Sequence, residues 1–346
     1  MEIEFYPYPT FRSIPVGDPS QPGEARRVAS SMANHMRFDD LRRGQIEIVV
    51  TELARNLTLH GGGGHLILAG WQGTGVKRLD IMAIDKGQGI SNLSAAMEDG
   101  FSTSGTPGTG LGAVSRIASI FQIFTQSKTG TAVMARVEDQ AQPRSRLNVG
   151  GVSIPIAGET VCGDAFASAH SSSRSVFMVV DGLGHGPVAA EAAAAALQCF
   201  QQFHPDPPAE IIDRLHGALR PTRGAAAAVA EIQHDRGIVT YSGVGNITGL
   251  VIFPEEGVTR NLVSQNGIVG HHMARVSEFT YPWTAKARLV MYSDGLTSHW
   301  NQKSYPGLLN KDPAVIAAVL YRDHYRTRDD ATIVVACPRN GNLEAA

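Results

Sequence analysis

Three side chains suited to proton and metal chemistry stand in register near residue 55. In ELARNLTLH, Glu52, Asn56 and His60 recur every four residues, which aligns them along one edge of a helix. Ile46, Val49, Val50, Leu53 and Leu57 recur on the adjoining face and predict that this face is buried. A carboxylate there is suited to accept a proton, and a carboxamide oxygen to face a cation or a donor. His60 fits either a helix-end role or a place in the same site. The helix then runs into four glycines, Gly61 to Gly64.

Two further stretches share this block. LDIMAIDKGQGI carries Asp85 just past an apolar strand-like run, followed by Gly87 and Gly89. A carboxylate in that place can accept a hydrogen bond from an amino group on a base edge, and glycines let the backbone approach a ring. GFSTSGTPGTGLGAVSRIASIF then places Gly108, Gly110, Leu111 and Gly112 at the entry to a helix. Backbone amides at such a glycine-rich N-terminus suit phosphate oxygens. Each motif alone is compatible with an ordinary turn; their order on helix, strand end and loop points to a nucleotide site.

Aspartates dominate the second half. Asp164 lies in VCGDAF, Asp181 and Gly182 in FMVVDGLGHG, Asp294 in VMYSDG, and Asp329 with Asp330 in RDDATIVV. One Asp-Gly after a strand is usually a turn. Four such positions at strand ends of one domain would gather carboxylates that are tolerated only with cations between them. Hard oxygen donors, with no cysteine or histidine cluster, favour Mg²⁺ or Mn²⁺ over Zn²⁺. Two such ions can orient a water as nucleophile and neutralise a phosphoryl oxygen. His185 in DGLGHG is placed either to protonate a leaving oxygen or to pack at the helix start.

These residues need two separate scaffolds. A first block, residues 1–137, closes with strand-like FQIFTQS and GTAVMARV around a turn at Lys128–Gly130. Polar EDQAQPRSRLN contains the expected linker, residues 138–147. The second block, residues 148–346, has strand-like runs in GGVSIPIAGE, FMVVDG, GIVTYSGVG, GLVIF, RLVMYSDG and ATIVVAC. Helices are expected at GPVAAEAAAAALQCFQQF and PAEIIDRLHGALR, with Pro187 opening the first and Ala192–Ala196 permitting close packing.

Composition supports this division. The 346 residues favour two domains, and 43% hydrophobic content is enough for two cores. A net charge of −2 gives no reason to expect nucleic acid or an anionic membrane as partner. No apolar run approaches the ~18 residues of a spanning helix, and MEIEFYPYPT lacks the features of a signal peptide. Cys162, Cys199 and Cys337 show no metal or redox spacing. They read as thiols in a reducing compartment, so a cytoplasmic location is expected.

ELARN, AIDKGQGI, DGFSTSG and GTGLG, in that order across roughly residues 30–137, resemble the GHKL ATPase/kinase superfamily, nearest to bacterial serine kinases and anti-sigma factors of the stressosome-switch type. The resemblance implies that Asn56 holds Mg²⁺ against the phosphates of ATP and that Asp85 reads adenine. It also implies that Gly87, Gly89, Gly108, Gly110, Leu111 and Gly112 line the nucleotide, and that Glu52 is the general base towards an acceptor hydroxyl. Histidine kinases carry a phospho-acceptor histidine on a preceding helix hairpin; His35 in EARRVASSMANHMRFDD lacks the usual flanking acid. Transfer to serine or threonine of another protein is therefore the expectation.

Residues 148–337 resemble type 2C metal-dependent protein phosphatases of the sporulation stage II E branch, nearest to the stressosome feedback phosphatase. By that resemblance Asp181 bridges two metals and Gly182 offers its carbonyl, while Asp294 and Asp329 bind one ion from the far side. Asp164 ligates an additional ion or positions water. An Asp-Asp pair stands where the broader family has Asp-Asn, which leaves Asp329 and Asp330 as alternatives, Asp329 preferred. The basic residue that clamps phosphate in the family is not identifiable from the sequence.

The implied fold class is α/β (α+β). The first domain is expected as a two-layer sandwich, helices on one face of a mixed sheet, and the second as an αββα sandwich with metals at one edge. The implied activities are opposed: phosphorylation of a STAS-domain antagonist or scaffold protein, and its metal-dependent dephosphorylation. Two alternatives keep the first domain non-catalytic, as an ATP sensor that regulates the phosphatase or as a module that sequesters a sigma factor or partner.

Overall fold

The structure is a computed structural model and describes residues 4–6, 9–73, 76–97, 110–139 and 145–339. The described residues form two compact units, one of residues 9–139 and the other of Glu4–Tyr6 with residues 145–339.

A first short strand, β1 (Glu4–Tyr6), pairs antiparallel with residues 168–170 and so belongs to the second unit. The sequence placed residues 1–8 with the first domain; backbone pairing, invisible in so short a run, places Glu4–Tyr6 in the other sheet. The first unit then runs β2 (Thr10–Val16), α1 (Gln21–His35), α2 (Asp40–Leu59), β3 (Gly64–Gly73), β4 (Val76–Asp85), α3 (Leu93–Met97), α4 (Gly110–Ile117), β5 (Ile120–Gln126) and β6 (Gly130–Glu138). Its sheet has the order β2-β3-β4-β6-β5, and every neighbouring pair is antiparallel. The expected mixed sheet is thereby corrected. β5 and β6 form a hairpin, which returns β6 antiparallel to β4.

Helix α2 begins where the Asp39 carboxylate accepts the Arg42 N–H at 2.7 Å, satisfying an otherwise orphan donor of the first turn. Its face Ile46, Val49, Val50, Leu53 and Leu57 is buried in one core with Leu66, Leu68, Ile81 and Val133. Each such side chain contributes roughly 1.5–3 kcal/mol as an upper figure. That burial fixes the rotation of α2, and with it the direction of Glu52 and Asn56.

The second unit comprises β7 (Leu147–Ile154), β8 (Asp164–His170), β9 (Arg174–Gly182), α5 (Pro187–Phe203), α6 (Pro208–Leu219), β10 (Ala225–Gln233), β11 (Ile238–Val244), β12 (Thr248–Phe253), β13 (Val258–Leu262), β14 (Gly267–Ile268), β15 (His272–Met273), β16 (Phe279–Pro282), β17 (Arg288–Tyr292), α7 (Pro313–His324) and β18 (Ala331–Pro338). One sheet has the order β1-β8-β9-β10-β11-β16, the other β13-β12-β17-β18-β7. Helices α5 and α6 cover the first sheet and α7 the second, giving the αββα sandwich. The alanine run works by close approach: Ala189, Ala192, Ala193 and Ala196 are buried against the sheet. A Cβ on Gly182 would stand 2.4 Å from the Ala189 carbonyl oxygen, so only glycine admits the helix there. Among the described residues no helix is long and apolar enough to cross a membrane.

Candidate functional site

In the first unit, Glu52 and Asn56 lie one turn apart on α2, both partly buried. Asn56 Nδ2 is buried and has no hydrogen-bond partner among the described residues. A buried amide without a partner carries an energetic cost that a bound group would remove. Glu52 Oε1 lies 3.3 Å from Arg55 Nη1, and the Glu52 side chain is 15% exposed. His60 caps the helix through its backbone N–H to the Asn56 carbonyl, and its side chain is exposed.

The glycines after α2 have a geometric reason. Gly64 pairs with Asp85 across β3 and β4, and a Cβ on Gly61 would stand 3.0 Å from the Asp85 Cβ. The chain therefore turns from α2 straight past Asp85. Asp85 Oδ1 accepts the Gly87 N–H at 2.8 Å and the Thr131 N–H at 3.2 Å, which holds the carboxylate at the strand end. Gly89 has φ +75° and packs against the Gln126 carbonyl. Gly110 opens α4 with none of the described residues within 4 Å of a Cβ there, while Leu111 and Gly112 are buried. Gly108 lies outside the described residues. Asn56, Asp85 and the start of α4 thus belong to one unit; the unpartnered Asn56 Nδ2 donor fits a phosphate oxygen, its amide oxygen a cation, and the glycine-lined Asp85 a base edge.

In the second unit, Asp164 and Asp181 face each other directly across β8 and β9. Asp164 is buried, its Oδ2 accepting the Ser293 hydroxyl at 2.5 Å. Burial and the neighbouring Asp181 push the Asp164 pKa well up. The Asp181 pKa is pushed up to about 7, by burial first and then by Asp294 and Asp329. Burial and Asp329 also raise Asp294, whose Oδ2 accepts Asn246 Nδ2 at 2.8 Å. Like charges crowded in a half-dry edge favour protonation, and a divalent cation reverses that preference. Among the described residues no three acidic, histidine or cysteine side chains already close into a metal cage. The site is an edge of oxygen donors, and this all-oxygen set fits Mg²⁺ or Mn²⁺.

The tandem aspartates separate cleanly. Asp330 is 1% exposed; its Oδ1 accepts the Ile156 N–H at 2.7 Å and its Oδ2 the Gly163 N–H at 2.6 Å. The Gly163 carbonyl in turn accepts the Gly182 N–H at 3.1 Å. Asp330 thus ties the loop before β8 to the strand end that presents Asp181. Asp329 remains partly exposed and acts electrostatically on Asp181 and Asp294. His185 Nδ1 is 2.9 Å from Glu159 Oε1, and the imidazole is 55% exposed on the turn after Asp181. Glu159, Ser293 and Asn246 are supporting residues that sequence reasoning missed, because the partner of each lies 26, 129 and 48 positions away in the chain. Ser293 alone carried a signal, as the neighbour of Asp294 in YSDG.

Residues 171–339 match the family described as Stage II sporulation protein E (SpoIIE), and residues 16–137 match the Histidine kinase-like ATPase domain. Serine/threonine-protein kinase RsbT of Bacillus subtilis (strain 168) is 36% identical over 111 residues, 32% of this chain and 84% of that protein. Phosphoserine phosphatase RsbX of the same organism is 26% identical over 139 residues, 40% of this chain and 69% of that protein. A solved structure described under "The bacterial stressosome: a modular system that has been adapted to control secondary messenger signaling" superposes with a TM-score of 0.52 at 25% identity, covering 55% of this chain and 98% of that chain. With these likenesses falling on the two units that hold the two sites, the chain belongs to the histidine kinase-like ATPase family through its first domain, and its second domain is similar to the SpoIIE family over residues 171–339.

Proposed function

We propose that the chain is a partner-switching regulator that moves phosphate in opposite directions: onto a serine or threonine of a STAS-domain partner from ATP at the first domain, and off it at the second. The observation that carries the phosphatase half is the edge where Asp164 and Asp181 face each other across β8 and β9, with Asp294 and Asp329 near enough to raise the proton affinity of Asp181. Asp181, the Gly182 carbonyl, Asp294 and Asp329 would hold two Mg²⁺ or Mn²⁺ ions, with Asp164 behind them. Such ions supply an activated water and neutralise phosphoryl oxygens. Asp330 holds the strand end in place, and His185, oriented by Glu159, offers a proton to the departing serine oxygen.

For the kinase half, the unpartnered Asn56 Nδ2 donor on the same helix face as Glu52 supports a nucleotide phosphate beside a base, leaving the amide oxygen for the cation. Asp85 would accept the adenine amino group, with Gly87, Gly89, Gly110, Leu111 and Gly112 along the nucleotide and Gly108 in the same role. One observation favours the sensor alternative: Arg55 sits on Glu52 at 3.3 Å and competes for its charge. The RsbT likeness supports transfer.

Incubation of the full chain with small STAS-domain proteins, ATP and Mg²⁺ or Mn²⁺, followed by intact mass, tests both halves. Glu52→Gln is expected to abolish partner phosphorylation while ATP still binds, and Asp181→Asn to abolish dephosphorylation. No Glu52-dependent labelling alongside Asp181-dependent phosphatase turnover would leave the sensor reading.

A further inference from the structure

Beside the proposed phosphatase edge the surface opens into a groove of ≈ 670 Å³, lined by Leu183, Gly184, Val188, Glu191, Arg223 and His271 among others. It continues directly from the strand end that carries Asp181. The Leu183 N–H donates to the Gly224 carbonyl at 3.1 Å, which fastens the DGLGHG turn to the turn before β10. Gly184 and Gly224 have φ of +94° and +79°, so both walls rest on backbone that glycine alone adopts at low cost.

Two features of the groove lack a structural use. Leu183 and Val188 are 38% and 40% exposed, although both border a packed helix. The Arg223 guanidinium reaches over Gly184, where Nη1 would lie 3.4 Å from a Cβ, and it makes no hydrogen bond or ion pair among the described residues. The strongest charges acting on Asp181 are those of other aspartates, and Arg326 is the cation acting on Asp294. Arg223 lines the groove, as does the acidic Glu191 on α5.

We propose that this groove seats the segment of the phosphoprotein substrate flanking its phosphorylated side chain. An apolar side chain of that segment covers Leu183 and Val188, and an acidic one pairs with Arg223. Charge complementarity selects this occupant: an acidic flanking segment meets a cation that has no ion pair among the described residues, beside the proposed reaction centre. The inference rests on the phosphatase reading above.

The test uses the full chain, Mn²⁺, p-nitrophenyl phosphate and phosphoserine peptides with Leu on one side and Asp, Ala or Lys at each flanking position in turn. Wild type is expected to prefer the best-placed Asp over Lys. In Arg223→Glu, the ratio of kcat/KM for that Asp peptide to kcat/KM for the aryl phosphate should fall about tenfold, in line with exchanging an exposed attractive pair for a repulsive one. The Lys peptide should gain over Ala, and Arg223→Lys should keep the wild-type order. An unchanged ratio, or an equal loss on Asp, Ala and Lys peptides, overturns the groove assignment. Wild-type turnover that survives Asp181→Asn would instead sink the phosphatase reading beneath it.

Discussion

Replacing Asp330 and Asp329 in turn separates two neighbouring carboxylates that the sequence leaves equivalent. Asp330→Ala removes acceptors held at 2.7 and 2.6 Å by the Ile156 and Gly163 amides and leaves one donor part-buried and the other buried. Hydrogen bonds to a charged group contribute about 1.5–3 kcal/mol each. Part of this is offset because a carboxylate no longer has to be held out of water. A net loss of roughly 3–5 kcal/mol is expected, a large fraction of ordinary domain stability. For a domain of this size that lowers Tm by roughly 10 °C. Asp330→Asn keeps one acceptor and should lose about half as much. Asp329→Asn gives up some of an acceptor for the Asp330 N–H at 2.9 Å but removes a like charge beside Asp181 and Asp294. Its metal-free stability should stay within about 1 kcal/mol of wild type, while Mn²⁺-dependent phosphatase turnover disappears. Hydrogen–deuterium exchange of peptides from residues 147–339, run without metal, isolates the second unit from the first. Equal destabilisation by Asp330→Asn and Asp329→Asn, or an unmoved melt for Asp330→Ala, would refute the division of labour.

Three further outcomes follow from the geometry. Gly130→Ala places a Cβ 2.0 Å from the Asp85 carbonyl oxygen at a φ of +114°, so it should destabilise the first unit by more than about 1 kcal/mol and weaken nucleotide binding by calorimetry. Asp80 is buried between Arg136 and Arg78; burial alone would raise its pKa, but the two guanidiniums outweigh it and hold the carboxyl below its ordinary value. A depressed folded pKa gives stability that is complete above the unfolded value near ~4 and is lost as pH falls through the folded one. Acid unfolding of the first unit should therefore begin below about pH 4, and Asp80→Asn should cost about 3–5 kcal/mol at neutral pH while flattening that acid limb. Glu159→Gln frees the His185 ring from its carboxylate at 2.9 Å; phosphoserine turnover should fall several-fold more than turnover of an aryl phosphate, whose leaving group needs no proton.

Local pattern carried most of the architecture. The 3.6-residue spacing of Ile46, Val49, Leu53 and Leu57 gave α2 its buried face, and that face alone puts Glu52 and Asn56 side by side. Strand-like runs ending in Asp-Gly located Asp181 at the end of β9 and Asp294 just past β17, because apolar runs and turn residues are encoded within a few positions. Pairing between distant segments had no such signature. The antiparallel direction of β6 against β4 and the joining of Glu4–Tyr6 to β8 depend on which edges meet after collapse.

The same limit applied within the sites. Residue types and order pointed to two phosphoryl-handling centres and singled out the aspartates, asparagine and glutamate proposed to build them. Tertiary structure decided what each carboxylate does, since Asp329 and Asp330 are chemically identical and adjacent. Only the loop that brings the Ile156 and Gly163 amides onto Asp330 makes one an anchor and leaves the other facing Asp181. A hydrogen bond between residues more than 160 positions apart is a property of the folded surface and is written in no local stretch of chain.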